Sequence, residues 1–442
     1  MPENESNVNK RVYILGAGMT GLAAGLVSGL PVYEAAAAPG GICSSYYIRP
    51  GSEERLSTAP ADGEAYHFEL GGGHWIFGGD PAVLRFIRSL TPVKTYQRRS
   101  SVFFAGQQLY VPYPLQNHLS YLGPEIAAKA LQEMLTAPKG NPKTMADVFS
   151  QSFGPTLTET FFGPFHELYT AGLWTRIAPQ DGYKSPVNIS LALQGAFGQT
   201  PPVGYNATFV YPEAGLNTLA QRMADRCQVG YGKKVVQINA GQKTVEFADG
   251  ARLPYDTLIS TLPLNKALAM AGLAVTEPAD PYTSVLVLNI GAVRGPHCPP
   301  DHWLYNPATQ AGFHRVGFYS NVDPSFLPQS ARTNNNRVSI YVERAYPGGE
   351  QPAVETIKAY AEVVVKELQA WGFIGEAEVV DPTWIDVAYT WAWPNSQWRA
   401  KALKCLEEHQ IFQVGRYGRW IFQGIADSIR DGFVVGSAFK GV

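Results

Sequence analysis

Three glycines in ILGAGMTGLAAG, Gly16, Gly18 and Gly21, stand between an apolar run and a stretch of small residues. At that spacing the first glycine allows a tight turn, the second lets backbone approach a pyrophosphate, and the third lets a helix pack on a strand. The helix N-terminus then faces the anion. Glu34 ends the next apolar segment, where a carboxylate can accept hydrogen bonds from a ribose diol. Small-residue helices produce such glycine patterns by chance. A strand before, a helix after and an acid at the right distance together favour a dinucleotide site over a ligand-free turn. A second pair, Gly40-Gly41 in EAAAAPGGICSS, points to FAD rather than NAD, because an FAD site needs the chain to pass close to the ribityl-pyrophosphate region.

Other residues could act on a ligand held there. The run Gly71-Gly72-Gly73 leads into His74. Bare backbone at Gly73 suits the approach of a flat ring, and His74 beside it would serve as acid, base or hydrogen-bond donor; a buried histidine bonded to backbone is the competing reading. Gly415-Arg416 precedes the last helix, facing the cofactor or forming an ordinary surface turn. Arg315, in GFHRVGFYSN on an expected strand, either clamps a diphosphate bidentately or pairs with a carboxylate. Tyr113, Tyr169, Trp174 and Tyr305 sit near prolines or glycines, where rings often line clefts.

The elements that must position these residues form an α/β pattern. Arg11–Leu15, the small-residue helix and Pro31–Glu34 make a βαβ start. Val235–Asn239 and Lys243–Phe247 read as a hairpin, and Asp256–Leu262 as a buried strand that rejoins the first sheet. Pro281–Val293 and Arg337–Arg344 alternate as antiparallel strands; Glu125–Leu135, Met145–Phe153 and Glu355–Trp371 read as helices. The tail gives a short strand, a glycine turn and a closing helix. The expected organisation is a discontinuous Rossmann-like FAD-binding domain (1–80, 205–265 and 405–442), a mainly helical domain (81–204) and an inserted mixed-sheet substrate domain (266–404).

The 442 residues are 45% hydrophobic and 16% charged, with a net charge of −2. That is ample for a large core and leaves no basic footprint for nucleic acid or an anionic membrane. The N-terminal MPENESNVNKR lacks a signal-peptide layout, and no apolar run is long enough for a membrane span. Cys43, Cys227, Cys298 and Cys405 are widely spaced without a CxxC pair, so neither a disulfide framework nor a metal site is expected. A cytoplasmic location is the default expectation.

Taken together, ILGAGMTGLAAG, PGGICSS, LGGGHWIFGGD, YVPYPLQNHLSYL, YTAGLW, GYNATFVYPEAGLNTLA, ISTLPL, WLYNP with GFHRVGFYSN, VSIYVERAY and VGRYGRW resemble, in order and over nearly the whole chain, the UDP-galactopyranose mutase family. That family belongs to the wider flavin amine oxidase and protoporphyrinogen oxidase-like group. The resemblance implies non-covalent FAD, a nicotinamide cofactor, NAD(P)H, as external reductant, and a small-molecule substrate of the nucleotide-sugar type. It implies a ring contraction in which reduced flavin N5 attacks the anomeric carbon, without net redox. It also implies roles by position. His74 lies against the flavin, and Tyr113 and Gln116 hold the uridine. Asn206 lies near the diphosphate, and Tyr305 and Arg315 grip it. Val235 meets adenine through its backbone, and Arg416 contacts the flavin. Trp174, in YTAGLW, is placed in the substrate site.

The chain departs from the pattern in several places. The interval between Trp174 and Asn206, where the family carries a second diphosphate arginine, is shorter and holds only Arg176 and Lys184 as basic residues. Phe422 and Ala426 stand where the family has a tyrosine and an asparagine on the phosphates, and Trp393 replaces the tyrosine of a late YP motif. The alternatives are therefore an FAD-dependent oxidoreductase of the same group, acting on an amine, ring system or polyene, and a flavin-binding protein without turnover.

Overall fold

The computed structural model describes residues 10–138, 140–180, 187–198 and 207–441. Val12–Leu15 sits in the middle of a five-stranded sheet, ordered Val229–Gly230, Val32–Tyr33, Val12–Leu15, Thr257–Ser260, Ile411–Gln413. Every pairing in it is parallel. Strands covered on both faces read as unbroken apolar runs, as Val12–Leu15 does; Thr257–Ser260 is buried throughout, with Leu258 and Ile259 at its centre. The sheet unites strands from the beginning, middle and end of the chain. The helix Met19–Ser28 packs along Ile425–Ala438, and small residues make this close approach possible. A Cβ on Gly432 would stand 2.3 Å from the Thr20 carbonyl oxygen, and one on Gly436 2.5 Å from that of Ala24.

A seven-stranded mixed sheet runs Ile374–Thr390, Tyr282–Arg294, Arg337–Pro347, Arg315–Phe318, Trp303–Tyr305, Ser100–Phe104, Leu109–Pro112. Tyr282–Arg294 pairs antiparallel with Arg337–Pro347 over eleven residues, from Thr283 opposite Pro347 to Val293 opposite Arg337. The helix Val354–Ala370 covers one face through Ile357, Val364 and Leu368. The 81–204 segment carries mostly helices among its described residues, yet it also contributes strands to the sheets. Its Val93–Gln97 pairs with Thr208–Pro212, and its Ser100–Phe104 lies parallel to Trp303–Tyr305. SSVFF shows no alternation because four of its five residues are buried, which removes the period-two signal of a half-exposed strand.

Above that sheet lie the helices Pro124–Thr136, Met145–Leu157, Gly163–Tyr169 and Ile189–Ala196, with a π-helical turn at Thr158–Phe162. Phe149, Phe153, Phe161, Phe162 and Phe165 fill the space between them. No helix among the described residues is long and apolar enough to cross a membrane.

Candidate active site

The turn after Val12–Leu15 is shaped by contacts that a side chain would break. Gly16 adopts φ +99°, and a Cβ there would lie 2.1 Å from the Thr261 hydroxyl; one on Gly21 would lie 1.9 Å from the Gly16 carbonyl oxygen. A Cβ on Gly18 would meet no protein atom within 4 Å. The first and third glycines thus serve the fold, and the second leaves an open face at a helix start. The Gly40 amide donates to the Ala17 carbonyl at 2.8 Å, and Gly18 and Gly40 form a parallel bridge, so the second glycine pair is tied to the first loop. The Glu34 carboxylate accepts from the amides of Ala17 (2.7 Å) and Ala36 (2.8 Å), which hold it at the rim of the loop.

These loops form one side of a cavity of about 670 Å³. It reaches from Gly16, Gly18, Glu34, Gly40 and Gly41 past Gly73 and His74 to Tyr113, Tyr305, Arg315, Gly415, Arg416 and Phe422, and so joins most of the residues singled out in the sequence. FAD fits what is present: a helix start that opens on the cavity at Gly18, where a Cβ would meet no protein atom, a fixed carboxylate at Glu34, and a volume in the range of cofactor sites.

His74 packs against Gly71, and its Nδ1 lies 3.4 Å from the Gly72 carbonyl oxygen. Burial, reinforced by the Arg416 charge, lowers its pKa to about 4, so the imidazole is neutral near neutral pH. Gly73 is bare for a different reason from the one the sequence suggested: a Cβ there would stand 2.1 Å from the Tyr341 hydroxyl. Arg416 donates to the carbonyls of Ala388 (3.1 Å) and Gln423 (3.3 Å) and lies 4.7 Å from the Phe422 ring centroid. It is a half-buried guanidinium on the cavity wall, not a free surface one.

Arg315 is held by Glu343, at 3.0 Å through Nε and 2.6 Å through Nη2. The carboxylate partner that competed with a diphosphate in the sequence reading is therefore present. Burial would raise the Glu343 pKa, but Arg315 and His314 outweigh it and hold the carboxyl at about 2. The Tyr113 and Tyr305 rings meet at 4.6 Å between centroids beside this pair.

Other predicted site residues do not line the cavity. Gly21 lies inside the strand–helix contact. Val235 is buried under its hairpin. Gln116 is buried in a 3₁₀ turn, 1% exposed. Trp174 donates to Glu167 at 2.8 Å, and Trp393 donates to the Ala279 carbonyl at 2.9 Å with Arg176 over its ring. Asn206 lies outside the described residues. Residues that sequence reasoning missed include Arg98, Phe161, Phe162, His314, Glu343 and Tyr389. The Pro and Gly within TETFFGPF signalled an irregular helix, and the turn there brings Phe161 and Phe162 to the cavity. For Glu343 no local signal existed, because its partners come from another strand.

Residues 28–291, more than half of the chain, match the family described as flavin containing amine oxidoreductase. Among solved structures, the chain is similar to a reduced UDP-galactopyranose mutase, with a TM-score of 0.80 at 22% identity over 97% of this chain and 95% of that one. A putative protoporphyrinogen oxidase from Exiguobacterium sp. 255-15 gives 0.71 at 13% identity, over 97% and 98%. A putrescine oxidase bound to putrescine gives 0.55 at 15%, over 97% and 98%. At these identities the likeness is one of fold. The cavity, its glycine loops and the family match agree, and the chain belongs to the flavin containing amine oxidoreductase family as a flavoenzyme with a fold like that of UDP-galactopyranose mutase.

Proposed function

We propose that this enzyme holds FAD non-covalently and interconverts ring forms of a nucleotide sugar or a related compound, in the manner of a mutase. The observation that supports this reading most directly is the convergence of Tyr113, Tyr305 and Arg315, from three separate strands or turns, on the cavity wall beside His74. In this proposal the Gly16–Gly18 loop, Gly40-Gly41 and Glu34 bind the cofactor's phosphates and ribose. When bound, FAD supplies an isoalloxazine that is a nucleophile once reduced, with NAD(P)H as the external reductant. Neutral His74 offers one nitrogen as donor and one as acceptor. Tyr113 and Tyr305 orient the sugar, while Phe161, Phe162 and Phe165 exclude water, which strengthens every polar contact inside.

A specific observation favours a second reading. Arg315 is already neutralised by Glu343, and Phe422 rather than a hydroxyl faces Arg416; such a wall suits a substrate without a diphosphate, oxidised by the flavin. Redox dependence separates the two. Dithionite-reduced enzyme is incubated anaerobically with UDP-galactopyranose and other UDP-sugars, and isomers are sought by chromatography. Oxidised enzyme is mixed with the same compounds and with amines while flavin absorbance is followed. Isomerised product without consumption of reductant is expected. Substrate-driven bleaching of oxidised flavin, with no isomer from the reduced enzyme, would replace the mutase reading with the oxidoreductase one.

A further inference from the structure

One cavity-lining group has no place in the scheme above. His314 is 1% exposed; among the described residues Nδ1 has no hydrogen-bond partner, and Nε2 has only a long approach to a carboxylate. Nε2 lies 3.5 Å from a Glu343 carboxylate oxygen. The ring faces Tyr169 at 5.2 Å and Phe165 at 6.0 Å between centroids. Buried polar atoms are nearly always satisfied, and an orphan calls for a partner that binds later or for a functional role. The strand pairing explains how the cluster forms. The His314 amide donates to the Glu343 carbonyl, and Arg315 opposes Glu343 in register. His314, just before the strand, and Arg315, its first residue, thus flank a single carboxylate, whose charge Arg315 sustains.

We propose that His314 and Glu343 are a proton-transferring pair of this active site, with His314 contacting the substrate and Glu343 positioning it. Glu343 holds Nε2 as the protonated nitrogen and leaves Nδ1 as the base, the arrangement by which a carboxylate orients a catalytic imidazole. The charged and titratable groups around the ring are Glu343, Arg315 and Tyr169. Burial lowers the His314 pKa and Glu343 pulls part of it back, so the resting ring is neutral. Resting on the mutase reading, the step is balanced: Nδ1 takes the proton of the hydroxyl that becomes a ring oxygen, Glu343 carries the countercharge, and the imidazolium returns the proton to the oxygen that becomes a hydroxyl. No proton is consumed over a turnover.

The test uses holoenzyme and does not require the substrate to be known. Diethylpyrocarbonate, which acylates neutral imidazole, is applied across the acid range and His314 is followed by peptide mass spectrometry. Labelling of His314 is expected, with a pH midpoint that moves down in Glu343→Gln because the imidazolium loses its countercharge. Failure of His314 to label, or a midpoint unchanged in Glu343→Gln, overturns the proposal. With UDP-galactopyranose as probe, His314→Phe, which fills the ring's volume, should keep its flavin and melting temperature. Its isomerisation kcat should fall by about 10²–10⁴-fold, as general acid–base catalysis requires, with KM little changed. An undiminished kcat would also overturn it. If wild type itself yields no isomer, the mutase reading fails and the labelling result still decides the role of His314.

Discussion

Glu69 and Glu343 are both buried carboxyls, and the fold drives their protons in opposite directions. Glu343 has a guanidinium against it and is ionised. Glu69 is 0% exposed, takes hydrogen bonds on one oxygen from the Ser45 and Tyr211 hydroxyls, and among the described residues has no lysine or arginine against it, only His67 at 3.9 Å, whose pKa burial lowers to about 3; burial pushes Glu69 up to about 8. A folded-state pKa raised above the unfolded value of ~4.3 means that the native state binds the extra proton. Its contribution is complete below the unfolded value and is lost as pH rises through about 8. Glu69→Gln keeps the shape and cannot ionise. Holoenzyme melts from pH 5 to 8 should therefore show wild type losing stability with rising pH and the variant staying flatter. Parallel curves would mean that Glu69 is ionised throughout. These proton positions could not be read from the sequence, since the surroundings of a glutamate are set by strands distant along the chain: Tyr211 lies 142 residues from Glu69.

At the scale of the element, the first turn separates two kinds of glycine. Gly18 has ordinary extended dihedrals (φ −72°, ψ 178°) and open space where a Cβ would go, whereas Gly21 has a carbonyl oxygen there. Gly18→Ala should therefore leave the melting temperature of the flavin-free protein within about 0.5 kcal/mol equivalent of wild type, yet reduce flavin occupancy after purification. Gly21→Ala should lower both, because helix and strand must move apart. Thermal melts together with the ratio of flavin to protein absorbance check this. Loss of stability in Gly18→Ala would show that the residue serves the fold instead of the ligand.

For the whole molecule, closure of the cofactor half depends on the last helix. Ile425–Ala438 reaches back to Met19–Ser28 through Gly432 and Gly436, while the turn before it carries Gly415 and Arg416 into the cavity. Overpacking a contact of this kind typically costs about 1–3 kcal/mol. Gly432→Leu is expected to destabilise the fold by at least that much and to release flavin, since it displaces both the glycine-loop helix and the Arg416 turn. Differential scanning calorimetry and the flavin content of the purified variant check this. A stable variant with full flavin content would show that the helix contact is slack.

The sequence alone determined the elements whose signals are local. The ligand-facing turn follows from glycine spacing, the central strand Val12–Leu15 from an unbroken apolar run, the Tyr282–Arg294 and Arg337–Pro347 strands from alternation, and the closing helix from its place after a glycine turn. Each of these depends on chain within a few residues of itself. Tertiary structure alone decided where charge and aromatic rings meet. Arg315 could have faced a ligand or a carboxylate, and pairing with Arg337–Pro347 placed Glu343 against it. Trp174 had the character of a cleft residue and Trp393 stood at a family site position, and packing turned both indole N–H groups toward protein acceptors outside the cavity. Ser100–Phe104 carried no strand period, and it became a strand only by lying against Trp303–Tyr305. In each case the deciding partner is distant in sequence, and a residue's own type and neighbours carry no record of it.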